Sequence, residues 1–162
     1  MTHASGDEGH RLLYLDDLHL GQRFTSGAHE LDVSQVIAFA SQFDPQPFHL
    51  DEAAAKATLF GGLVASGWHT TSITMRLLVR SGLPIAGGLV GVSAEISWPK
   101  PTRSDDVLQV ESEVLEIRPS RSRPDRGMVK VRSETRNQRG EVVQILVSTL
   151  VVPRRPQSSV RS

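Results

Sequence analysis

The apolar residues of this chain recur at helical spacing in its first half and at strand spacing in its second. Behind Asp32 and Ser34, either able to cap a helix, Val36, Ile37, Phe39, Ala40 and Phe43 predict a helix from about Val33 to Phe43. It must end there, because Pro45 and Pro47 each disfavour the α region in the residue before them, leaving a rigid loop. Asp51 then reads as the cap of a short helix over about 51–57, and Gly61-Gly62 as a break. Over 67–80 the helical pattern returns. Trp68, Met75, Leu78 and Val79 are apolar, Arg76 and Arg80 sit in the last turns, and Gly82 and Pro84 lie beyond, which makes this the longest helix expected.

Past Pro84 the period drops to two. Val90, Val92, Ala94, Ile96 and Trp98 alternate with Gly91, Ser93, Glu95 and Ser97, the pattern of a half-buried strand. Further strands are expected over about 106–118, 127–137 and 141–152, with Asn137-Gln138-Arg139-Gly140 as a tight hairpin connection. The last is apolar on both faces (Val142, Val143, Ile145, Leu146, Val147) and should lie inside the sheet. Helices followed by consecutive antiparallel strands argue for an α+β domain with the long helix across one face of the sheet, although periodicity leaves the strand order open. Residues 1–12 and 153–162 show no period, so the domain is drawn over 13–152 with flexible segments on either side.

Composition narrows the chemistry. A chain of 162 residues, 38% hydrophobic, supports one core. Eighteen Lys and Arg balance eighteen Asp and Glu, so no global field draws it to nucleic acid or an anionic membrane, and a small molecule is the expected ligand. The absence of cysteine excludes disulfides, thiolate metal sites and a cysteine nucleophile together. No apolar run approaches the ~20 residues that cross a bilayer, and the first ten residues carry acids without the apolar centre of a signal peptide. A cytoplasmic location is expected.

The candidate chemistry concentrates in two places. Between Asp44 and His49, Pro45 and Pro47 restrict the backbone, so a carboxylate and an imidazole can be held in one geometry at little entropic cost. Such a pair can activate a water and deliver a proton near neutral pH. Equally, Asp before Pro opens ordinary turns, and a lone loop histidine is more often structural. The second place is Ser66-Gly67, where unpaired N–H groups at the start of the long helix suit a thioester carbonyl that becomes an enolate, and where a glycine lets a substrate approach the backbone. Its plain alternative is a helix start capped by Ser66. His69, just inside that helix, faces either a substrate channel or the packing around it. Arg118, Arg121, Arg123 and Arg126 gather in an expected hairpin loop that suits coenzyme A phosphates or simple solvation. His3, His10, His19 and His29 have no metal-site spacing.

Together these segments resemble the MaoC-like hydratase/dehydratase family, which includes the (R)-specific enoyl-CoA hydratases. The family's motif runs Asp, any residue, Asn, Pro, an aliphatic residue, His, then a small residue six places on. Asp44, Pro47, His49 and Ala55 fall in register, with Gln46 for Asn and Phe48 for the aliphatic residue. The stretch from Tyr14 to Phe24 resembles the family's opening, and Trp98-Pro99-Lys100-Pro101-Thr102-Arg103-Ser104-Asp105-Asp106-Val107-Leu108 its Pro-Val-x-x-Gly-Asp-x-Leu segment. The likeness runs from about Tyr14 to Val152.

The resemblance implies a hot-dog fold, an antiparallel sheet wrapped around a long central helix, usually as a homodimer. It implies that Asp44 and His49 are catalytic and hold a water, with Gly67, Ser66 and Gln46 as the substrate-binding positions. Water would add to a 2-enoyl-CoA or leave a 3-hydroxyacyl-CoA, with coenzyme A or a carrier protein as part of the substrate and no metal or redox cofactor. Three departures stand out. Gln46 replaces Asn, Ser66 stands where many hydratases have His, and Met75 takes the place of a hydroxyl residue for which Thr71, Ser72 and Thr74 are the alternatives. A hot-dog acyl-CoA thioesterase and a non-catalytic acyl-thioester-binding subunit are the rival functions.

Overall fold

Residues 11–157 are described by the computed structural model, in which one antiparallel sheet curves around one helix. Its strands are β1 (Arg23–Glu30), β2 (Val90–Ser97), β3 (Val107–Pro119), β4 (Arg126–Arg136) and β5 (Val142–Pro153), paired in the order β1-β3-β4-β5-β2. The helices are α1 (Val33–Phe43), α2 (Pro47–Leu50), α3 (Glu52–Lys56) and α4 (Gly67–Leu77), the last running into a π-helical turn over Leu78–Gly82. β4 shows why the sheet has a dry face. Val129, Val131, Ser133 and Thr135 are buried while the residues between them are half-exposed, as a period of two demands. Val110, Val114, Val129, Val131, Val143 and Leu146 join Ile73, Leu77 and Leu78 from the α4 region in one core. This is the hot-dog arrangement, and the fold is α+β as expected.

The expected helix over 33–43 is observed, its first turn capped by Asp32, which accepts the Gln35 N–H at 2.9 Å. β5 lies inside the sheet, between β4 and β2. The hairpin turn is built on Asn137, whose Oδ1 accepts the N–H groups of Arg139 and Glu141, with Gly140 at a φ of 76°.

Three expectations need correction. The stretch 44–49 is not a loop throughout, because Pro47 occupies the first position of α2, where its missing N–H is no loss and its φ is already helical. The long helix stays α-helical only to Leu77. Beyond it the Leu83 N–H reaches back to Leu78 O, and Gly82 lies where an added Cβ would come within 3.0 Å of Ser26 Cβ. β2 is not half-buried within one chain. It is an edge strand, with Val90 and Val92 each 53% exposed and only Ile96 partly covered.

Residues 1–10 and 158–162, which carry most of the two expected flexible segments, lie outside the described residues. β5 continues to Pro153, and Arg154 and Arg155 bond to Asp16 and Asp17. Among the described residues no helix is long and apolar enough to cross a membrane.

Candidate functional site

α1 ends at Phe43, where the Asp44 N–H still bonds to Ala40 O at 2.9 Å, and α2 begins at Pro47. The short link between them throws the Asp44 side chain toward the turn that carries His49. An extended segment over 63–66 backs this turn and is clamped on both sides. Its Val64 N–H donates to Phe48 O at 3.3 Å and its Ala65 N–H to Thr102 O at 2.9 Å.

That segment orients the imidazole. His49 Nδ1 lies 2.7 Å from Val64 O, and a carbonyl oxygen only accepts, so Nδ1 carries the proton. Nε2 is thereby left for Asp44, whose Oδ2 stands 3.2 Å away. The carboxylate is held from two more directions. Ser66 Oγ donates to Oδ2 at 2.7 Å, and Gln46 Nε2 donates to Oδ1 at 2.6 Å. Partial burial works to raise the Asp44 carboxyl, but the Ser66 and Gln46 hydrogen bonds and the neighbouring His49 outweigh it and hold the group below its ordinary 3.8. It is a carboxylate at neutral pH.

Asp44, Gln46, His49 and Gly67 line one cleft of about 400 Å³, walled by Trp98 and Phe60. Of the five residues picked from the sequence, four therefore face it. Ser66 is fully buried and spends its hydroxyl on Asp44 and on the Trp68 N–H at 3.2 Å, which makes it both a positioning residue and the cap of α4. Gly67 is the first residue of α4, and its N–H has no protein acceptor among the described residues. Its lack of a side chain has a local cause: a Cβ there would lie 2.7 Å from Trp98 Cε2.

The hydroxyl alternatives on α4 turn elsewhere. Thr71, Ser72 and Thr74 each bond a carbonyl one turn back, and Thr71 and Thr74 also meet Gln144. Met75 lies in a separate apolar groove. Ser66 therefore supplies the hydroxyl that braces Asp44. His69 is buried and stacked on Phe39 at 4.6 Å, its Nδ1 without a partner. Burial, with His29 and His49 adding to it, pushes its pKa down to about 4, so it is neutral and packed. Arg118 pairs with Met128 at the end of β3 and β4 remote from Val107 and Arg136. Lys100, by contrast, reaches the cleft and pairs with Glu141 just beyond Arg136. The arginine cluster is thus at the wrong end of the sheet to meet a ligand in this chain's own cleft. His29 bonds Gln35, and His3 and His10 lie outside the described residues. Trp98, Phe60 and Lys100 were not anticipated as site residues; only the likeness of the Trp98 segment to a family pattern pointed there.

A curved sheet around one helix, with a carboxylate–imidazole pair at the helix's amino end, defines a hot-dog domain. The chain belongs to the MaoC-like domain family, whose model matches residues 19–137. It is 34% identical over 115 residues to a 3-hydroxybutyryl-CoA dehydratase of Methylorubrum extorquens, covering 70% of this chain and 71% of that protein. It is 32% identical over 126 residues to YdeM, an uncharacterized protein of Bacillus subtilis, covering 77% and 88%. The crystal structure of a MaoC-like dehydratase from Rhodospirillum rubrum superimposes with a TM-score of 0.88 at 59% identity, covering 90% of this chain and 99% of that one.

Proposed function

We propose that this protein hydrates a 2-enoyl thioester to the 3-hydroxyacyl thioester, or catalyses the reverse dehydration. The observation that carries the reading is Asp44 Oδ2 standing 3.2 Å from His49 Nε2 in a cleft that also presents the unpaired Gly67 amide. A water between the two side chains gives its oxygen to C3 of the enoyl group. One of its protons passes to the pair, and the pair returns a proton to C2. Gly67 N–H meets the thioester oxygen as enolate charge develops on it. With Nδ1 committed to Val64, all proton traffic through His49 runs at Nε2, beside Asp44, so the two act as one coupled unit. Coenzyme A or a carrier protein enters as part of the substrate. The 34% identical 3-hydroxybutyryl-CoA dehydratase supports this chemistry.

We also propose that the working unit is a homodimer. β2 offers an unpaired edge, and Trp68, Met75 and Val79 expose one flank of the α4 region, so a second copy of this chain can cover both.

The test is a panel of short, long and branched enoyl and 3-hydroxyacyl thioesters, following enoyl absorbance and free thiol together. Absorbance loss without thiol release is expected. Thiol release would establish a thioesterase, and tight acyl-CoA binding with no turnover a binding subunit. Asp44→Asn and His49→Ala should each lower kcat ~10²-fold or more with circular dichroism unchanged, and full activity in either would reject its role.

A further inference from the structure

Two clefts flank α4 and share no lining residue. The catalytic one takes Gly67 and Thr70 from the first turn of α4 and Trp98 from the residue after β2. The other, an apolar groove of about 370 Å³, takes Thr71 and Met75 from the following turns of α4, and Ala94 and Ile96 from β2. α4 therefore runs past both spaces, and Trp98, which lines the catalytic cleft, follows the groove residue Ile96 by two positions and shares the Gln144 oxygen with the groove residue Thr71.

The indole is held there. Its Nε1–H donates to Gln144 Oε1 at 2.9 Å, and that oxygen also accepts the Thr71 hydroxyl at 2.7 Å. Gln144 Nε2 donates to Thr74 Oγ1 at 3.1 Å, and the whole Gln144 side chain is buried. On its other side the indole lies against the Cα of Gly67, so close that an added Cβ would sit 2.7 Å from Cε2 and 2.9 Å from Cζ2. The Trp68 ring packs edge-on at 5.5 Å. Buried and bonded to Thr71 and Thr74 as well as to the indole N–H, Gln144 is a fixed acceptor that places a ring still 42% exposed.

We propose that Trp98 is the acyl-chain stop of this protein. The indole meets the chain just past the reacting carbons, confines the site to short acyl thioesters, and seals off the apolar groove that would otherwise take a longer chain. The inference rests on the thioester reading of the Asp44–His49 site. Each methylene that enters an apolar groove strengthens binding roughly fourfold, so a chain four carbons longer gains measurably once the way is open.

Saturated butyryl-CoA and octanoyl-CoA, which bind without reacting, are titrated calorimetrically into the wild type, Trp98→Ala and Trp98→Leu. In the wild type octanoyl-CoA should bind no better than butyryl-CoA. In the variants the octanoyl-to-butyryl affinity ratio should rise about tenfold or more, and adding Ala94→Phe, which refills the groove, should remove the gain. If Trp98→Ala fails to fold, Trp98→Leu carries the comparison. A wild type that already favours octanoyl-CoA tenfold, or a ratio unmoved in a folded Trp98 variant, overturns the chain stop. Hydration of crotonyl-CoA by the same preparation separates the two proposals. Turnover with an unmoved ratio sinks the stop alone, a moved ratio without turnover sinks the hydratase reading alone, and no binding of either thioester overturns both.

Discussion

Ser66 uses one hydroxyl for two tasks, donating to Asp44 Oδ2 and accepting the Trp68 N–H at the start of α4. Ser66→Ala removes both. Loss of the cap should cost about 1 kcal/mol, read as a lower Tm at neutral pH. Loss of the donor leaves burial less opposed, so the Asp44 carboxyl rises and the acid limb of the kcat/KM profile moves to higher pH. The stability effect has the same origin. With its folded pKa held below the unfolded 3.8, Asp44 contributes stability above that value and loses it as pH falls through the folded one, so the variant should lose less on acidification. An acid limb that stays in place would show that Ser66 only caps the helix. Asp44 and His49 were legible in the sequence because two prolines punctuate their spacing and a family motif runs through them. The Ser66 contact was not, since it joins residues 22 positions apart and a Ser before a helix reads as a cap first.

At the scale of elements, legibility followed the apolar period and failed where polar groups replace it. β3, β4 and β5 alternate or run apolar, and were expected close to their observed bounds. β1 was not foreseen, because the side chain it buries is Ser26, whose hydroxyl accepts the Val110 N–H and donates to Gly27 O at an irregularity in the pairing. α4 similarly buries Thr70 and Thr74, satisfied by Thr102, Thr135 and Gln144. The bonds to Thr135 and Gln144 tie the helix to the sheet alongside the packing of Ile73 and Leu77. Gln144→Leu should therefore destabilise the fold by about 1–3 kcal/mol, since the Trp98 N–H loses its acceptor and Thr71 and Thr74 each lose a partner. Urea denaturation measures the cost. A variant as stable as the wild type would mean that apolar packing alone seats α4.

For the whole molecule, one chain leaves the β2 edge and one flank of the α4 region uncovered. β2 was read as half-buried from a regular alternation, yet within a single chain Val90 and Val92 face outward at the open edge of the sheet. Covering β2 and the exposed flank of the α4 region with a second copy would account for the alternation, which the sequence displays without displaying its cover. A stable homodimer buries ~1,600 Å² or more in total. The wild type should sediment as a dimer at micromolar concentration. Val90→Lys combined with Val92→Lys should give a monomer of unchanged circular dichroism, because neither side chain contributes to this chain's own core. A wild type that stays monomeric at every concentration would leave the β2 edge without its partner and return the half-buried pattern to an open question of strand propensity. A monomeric variant that keeps full turnover would instead show that the Asp44–His49 cleft is complete within one chain.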